Sequence, residues 1–132
     1  MKSRETLIQR RARLKRFQVD EKRRGVTQIE SMIAELERIA ADLDREIEAE
    51  QDRSGIHDPA HFAYPTYAKA AMQRRENLRR SAADLKLQLD GAKAVLAEAF
   101  EEMKKVELLD EREQAGLMRS APLSPTNAAA PR

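Results

Sequence analysis

Residues 26–47 read VTQIESMIAELERIAADLDREI, and their apolar positions decide the fold. Val26, Ile33, Ala40 and Ile47 recur every seven residues, and Ile29, Leu36 and Leu43 form a second row displaced by three. These are the a and d rows of a heptad seam, the pattern of a helix that buries one narrow stripe against another helix. The same rows return further along the chain. Ala68, Ala82, Leu89, Leu96 and Met103 make one, interrupted by Arg75, and Ala71, Leu78, Leu85, Ala92, Ala99 and Val106 make the other. A seven-residue period held over five heptads implies a left-handed supercoil.

Composition agrees. Of 132 residues, 36% are charged, three are Phe, two are Tyr, and there is neither Trp nor Cys. Chains rich in Ala, Glu, Lys, Leu and Arg form long solvated helices, so a sheet-based fold is not expected. Without cysteine there is no disulfide and no thiolate zinc site, which fits a reducing cytoplasm. No apolar run nears the roughly 20 residues that span a bilayer. Met1-Lys2-Ser3-Arg4 is followed by no apolar stretch of the kind a secretory signal needs. The expectation is a soluble protein that is not exported by the usual route.

Two long segments, 1–58 and 66–121, lack proline, and the turn formers collect between them in Gly55 to Pro65. Ser54-Gly55 reads as a helix stop. Asp58-Pro59 reads as a cap with proline at the first helical position of one short turn, and Thr66 as the cap of the second helix. After about residue 115 the chain turns to Ala, Ser and Pro. The predicted architecture is all-α: a helix over about 3–54, a turn over about 55–65 and a helix over about 66–114. Together these make one domain, 1–114, a long antiparallel two-helix coiled-coil hairpin, followed by a flexible, disordered C-terminal tail, 115–132.

Charge selects the antiparallel pairing. Residues 1–24 carry ten basic and three acidic side chains, residues 25–52 two and nine, residues 53–93 eight and four, and residues 94–132 five and seven. Folding the chain about residue 59 sets residue i near 118 minus i. The acidic block 25–52 then lies beside basic 69–93, and basic 1–24 beside acidic 94–113. A parallel dimer in register would oppose like charges. Each exposed pair is worth only ~0.2–1 kcal/mol, but many acting together choose orientation, as e and g charges do in coiled coils. The Ala-rich seam buries modest area per layer, so marginal stability is expected.

The pattern breaks near the N-terminus. Extended backwards, the seam gives Val19, Ala12 and Ile8 but puts Lys22 and Lys15 at d, while Leu7, Leu14 and Phe17 fall on another stripe. The general preference for core over site favours a stutter around Asp20-Glu21-Lys22-Arg23-Arg24 that rotates the core face. The alternative is that Leu14 and Phe17 face a partner.

Motifs that carry chemistry are missing: there is no phosphate loop, no Gly-rich dinucleotide turn and no zinc helix. Carboxylates on solvated faces keep ordinary pKa values, so neither catalysis nor a cofactor is expected. His57 and His61 flank Asp58 at i, i+4 spacing, which reads as turn packing rather than as a metal site. Phe62, Tyr64 and Tyr67 either staple the turn or form a knob that docks into another protein. Arg10, Arg11, Arg13, Lys15, Arg16 and Lys22-Arg23-Arg24 form a basic run. It reads as a charge-paired face, then as a docking surface for an acidic protein collar, and last as a nucleic-acid contact, because no aromatic platform interleaves it.

Leu14-Lys15-Arg16-Phe17-Gln18-Val19-Asp20-Glu21-Lys22-Arg23-Arg24, followed by an Ile-rich heptad helix, resembles the start of the FliJ family of flagellar export proteins. Asp58-Pro59-Ala60-His61-Phe62-Ala63-Tyr64-Pro65-Thr66-Tyr67-Ala68-Lys69-Ala70 and Lys104-Lys105-Val106-Glu107-Leu108-Leu109 look like the subgroup with a short ordered tip, so the match spans about residues 4–113. The resemblance implies a small antiparallel coiled coil, similar to the stalk of rotary ATPases, that inserts into the hexameric flagellar export ATPase and contacts the membrane-embedded export gate. It implies a cytoplasmic protein, peripheral at the inner membrane at the flagellar base, with export chaperones as further partners. Arg10, Arg11, Arg13, Leu14 and Phe17 would meet the ATPase ring, and Phe62, Tyr64 and Tyr67 the gate. Family members keep a charged helix to the C-terminus, from which this chain departs after Gln114. The alternative function is a general export chaperone or a coiled-coil scaffold that holds a partner helix.

Overall fold

The computed structural model describes residues 4–120. They form two helices, α1 (Leu7–Ser54) and α2 (Thr66–Ser120), packed as an antiparallel hairpin. Contacts divide the chain into two units. A turn unit comprises Arg23–Val95, and a terminal unit comprises the described residues of Met1–Lys22 and Leu96–Arg132.

The first helix starts later than the sequence reading placed it, at Leu7 rather than about residue 3, because Thr6 and Gln9 form a capping box. The Thr6 hydroxyl accepts from the Gln9 amide at 3.0 Å, and the Gln9 side chain accepts from the Thr6 amide at 2.9 Å. Two of the helix's otherwise unpaired donors are satisfied by one local pair. At the other end the stop falls where the sequence placed it. Gly55 sits at φ 73, in the left-handed region that glycine enters without a Cβ penalty, and its amide donates to the Gln51 carbonyl at 2.8 Å.

In the turn unit, α1 and α2 meet along the expected seam. Val26, Ile33, Ala40, Leu43 and Ile47 of α1 are buried, as are Ala68, Ala71 and Ala82 of α2. Leu43, Ile47 and Ala71 form the densest cluster, with Ile39, Met72 and Leu78 packed on it. The small alanines let the backbones approach but add little area, since a buried methylene is worth about 0.8 kcal/mol. Direction is legible in the cross-helix contacts. Going back along α1, Glu46 bonds Tyr67, Asp44 bonds Arg75, and Glu37 bonds Lys86, which goes forward along α2. These are the acidic and basic blocks that the charge pattern sets side by side.

Arg75, the residue that interrupts the seam, lies mostly covered. Its Nη1 donates to Asp44 at 2.8 Å, and Arg79 reaches the other Asp44 oxygen at 2.5 Å. One carboxylate on α1 thus holds two cations on α2, a polar lock at a core position that fixes register while leaving the Arg75 Nε buried without a partner.

In the terminal unit the core is Ala12 and Val19 of α1 and Val106 of α2. Arg16 pairs with Glu107 across the helices at 3.3 Å. The stutter expected here does not occur. Ala12 and Val19 continue the row of Val26 and Ile33 at the same spacing and are fully covered, Val19 to 2% exposure, while Leu14 and Phe17 stay outside. The two lysines at d do not enter the core, Lys15 being half-buried and Lys22 exposed.

Three further expectations are corrected. The second helix does not end at 114 but runs to Ser120, so residues 115–120, assigned to the tail, are helical. Gly116 costs a helix about 1 kcal/mol, but the first proline after Pro65 is Pro122, so nothing before it forbids the helix. The rest of the predicted tail, 121–132, lies outside the described residues. Thr66 is the first helical residue and not the cap, since the Pro65 carbonyl accepts from the Lys69 amide at 3.1 Å. Asp58 caps no helix either. It opens a β-turn to His61, with its carboxylate accepting from the Ala60 amide at 2.9 Å, and a second β-turn runs from His61 to Tyr64.

Candidate docking surfaces

The terminal unit presents an apolar row on the side of α1 turned away from the seam. Leu7, Leu14 and Phe17 are 69%, 53% and 55% exposed. Spaced at i, i+7 and i+10, they share one helix face. An open groove of about 530 Å³ is lined by Leu14, Phe17, Arg10 and Arg13. Glu5 folds back over this face and reaches Arg13 at 2.9 Å and Arg10 at 3.6 Å. Arg11 is exposed beside it. All five residues assigned from the sequence to this end are therefore at the surface, and four of them share one groove.

Leu7 is the residue of this row that the sequence-based set left out. Its signal was present, since Leu7 stands one heptad before Leu14. A single flanking leucine next to an apparent stutter carried too little weight to be assigned.

The second surface is the turn. Phe62 is 96% exposed, and its ring stacks on His61 with centroids 4.7 Å apart and planes at 21°. The His61 Nδ1 in turn accepts from the Ala63 amide at 3.0 Å, which holds the imidazole in place under the phenyl ring. A groove of about 580 Å³ runs beside it, lined by Pro59, His61, Phe62, Lys69 and Gln73 among others.

The three aromatic candidates of the turn separate. Tyr64 is not part of a knob, for it is only 7% exposed. Its hydroxyl accepts from the Gln51 side chain at 2.9 Å and donates to the Met72 sulfur at 3.4 Å, so it is the staple that closes α1 on α2. Phe62 alone stands free. Tyr67 is exposed on α2, and its hydroxyl donates to Glu46 at 2.8 Å. That bond, reinforced by the charges of Glu46 and Glu50, raises the Tyr67 pKa above the ordinary phenol value because ionisation would set a phenolate against carboxylates.

His57 lies 3.3 Å from Asp52. Among the described residues no group of three His, Asp, Glu or Cys side chains could hold a metal ion, and no helix is long and apolar enough to cross a membrane. The chemistry that these surfaces support is recognition: aromatic rings and arginine donors, residue types enriched at protein interfaces, beside leucines that add apolar contact. Comparison with protein families, with curated proteins and with solved structures finds no match for this chain.

Proposed function

We propose that this chain is a non-enzymatic stalk and adaptor of the bacterial flagellar protein export apparatus, linking the hexameric export ATPase to the export gate from the cytoplasmic face of the inner membrane. The observation that carries the reading is that Leu14 and Phe17, within the stretch that resembles the FliJ family, lie off the seam in an arginine-lined groove. Together with Leu7 they make a contiguous exposed apolar row rather than scattered single residues, which is what marks an interaction surface. The free Phe62 ring, within the second resembling stretch, offers a separate contact for the gate.

A generic coiled-coil scaffold would use the same Leu7, Leu14 and Phe17 row without any flagellar partner. A pull-down with the full chain from a flagellated host, with export ATPase activity measured with and without the protein, separates the two. The stalk reading expects recovery of the export ATPase or a gate component, weakened by Phe17→Ala for the first and by Phe62→Ala for the second. Recovery of neither contradicts it.

A further inference from the structure

Within the terminal unit α2 leaves the apolar row of α1 uncovered, with Leu7, Leu14 and Phe17 each more than half exposed. The seam residues Ala12 and Val19 face α2, whereas Leu7, Leu14 and Phe17 face outwards from the same helix. Arg10 falls between Leu7 and Leu14, so the four occupy i, i+3, i+7 and i+10, the spacing of a second a/d stripe. We infer that this outer face of α1 binds an acidic amphipathic helix of a partner protein, whose leucine-type side chains seat against Leu7, Leu14 and Phe17 and whose carboxylates engage Arg10 and Arg13. The inference rests on the docking role proposed above for this face.

Charge commits the face to this occupant. Residues 4–17 hold six basic side chains and one acidic, Glu5. Glu5 reaches one nitrogen each of Arg10 and Arg13, and a guanidinium carries five N–H donors, so both keep donors for a second carboxylate. Placement of Arg10 argues against a bilayer. A helix lying on anionic lipid keeps its cations at the flanks of the apolar stripe. Here the guanidinium sits within the stripe, where a paired carboxylate serves it and a lipid tail does not. A nucleic-acid strand would meet the arginines but leave two leucines exposed beside phosphate. The anchors span about three helical turns, so a partner segment of about three to five turns covers them.

The test uses the full chain and a labelled synthetic peptide of about 18 residues, five turns long, with leucine at a and d and glutamate at the flanking positions. A control peptide carries lysine for every glutamate, and phosphatidylglycerol vesicles and light scattering of the chain alone complete the set. The expected result is saturable binding of the glutamate peptide, weak or no binding of the lysine peptide, and loss of affinity as salt rises. Leu14→Ala and Phe17→Ala should each weaken binding about tenfold or more, as loss of an interface anchor does. Leu108→Ala, an exposed residue of α2 in the same unit, should leave it unchanged. Circular dichroism checks that each variant keeps its helicity.

Equal binding of both peptides, no binding of either, or insensitivity to Leu14→Ala and Phe17→Ala overturns the inference. So does preferential binding to the vesicles, or a doubled mass in light scattering that Phe17→Ala abolishes, which would make a second copy the occupant. Failure here is distinct from failure of the stalk reading. Export ATPase recovered by the wild-type chain and weakened by Phe17→Ala, with no binding of the glutamate peptide, would sink the acidic-helix inference alone. Peptide binding without any flagellar component would sink the stalk alone.

Discussion

Replacing Val19 by alanine is the sharpest probe of how α1 sits in the terminal unit. Val19 is fully covered, and the substitution removes two carbon atoms from a contact with little room to collapse. At about 0.8 kcal/mol per buried methylene the transfer loss is about 1.6 kcal/mol. The residual cavity raises it to about 2 kcal/mol. Phe17→Ala removes a far larger side chain, but one that is more than half exposed, and should cost roughly 0.5 kcal/mol or less. Urea unfolding followed by circular dichroism gives the totals. Native-state hydrogen exchange of the amides around 12–22 tells whether the loss is local to this unit. The ordering carries the test: a Phe17→Ala variant that loses more stability than Val19→Ala would mean the core face does rotate and the outer row is core.

Asp44→Ala strips the shared carboxylate from Arg75 and Arg79 and should destabilise the turn unit by about 1–2 kcal/mol, less than for a buried pair because Asp44 and Arg79 are partly in water. Arg75→Leu should be neutral or stabilising in the same urea assay. Gly55→Ala places a Cβ in the left-handed region and should cost about 1–2 kcal/mol, read as a lower unfolding midpoint. In a Tyr64→Phe background the remaining phenol, Tyr67, should titrate above the usual value of about 10, and Glu46→Ala should bring it down, both followed by phenolate absorbance. Because the folded pKa is raised, the contribution of that bond is intact at neutral pH and is lost only as pH rises through the raised pKa. A Tyr67 titration indifferent to Glu46→Ala would remove the bond from the account.

The seam between Val26 and Ile47 was legible because periodicity is set by one physical requirement, a narrow buried stripe. The stop at Gly55 was legible because only glycine takes that backbone angle cheaply. Further towards the N-terminus the sequence misled, because two lysines at d look like a broken core although the other row, through Ala12 and Val19, stays buried. The fate of the turn aromatics was hidden for another reason. Phe62 and Tyr64 are two residues apart, and which ring turns inward depends on the pair of β-turns between Asp58 and Tyr64 and on Gln51 waiting on α1. The early end assigned to α2 rested on a loss of charge and on prolines, but a loss of charge does not stop a helix, and the first of those prolines is Pro122. Within the docking face, residue types revealed the arginines, but only burial separated Leu14 and Phe17 from the core.

The pairing of α1 with α2 inside one molecule is tested most directly in the turn unit, where the Glu37 and Lys86 side chains meet at 3.0 Å. The chain has no cysteine, so Glu37→Cys with Lys86→Cys gives two unique sites for spin labels. Packed helix axes lie about 8–10 Å apart, so pulsed dipolar spectroscopy should read a label separation within roughly 20 Å, unchanged when the labelled protein is diluted with unlabelled chain. A longer separation, or a short one that vanishes on dilution, would contradict the hairpin.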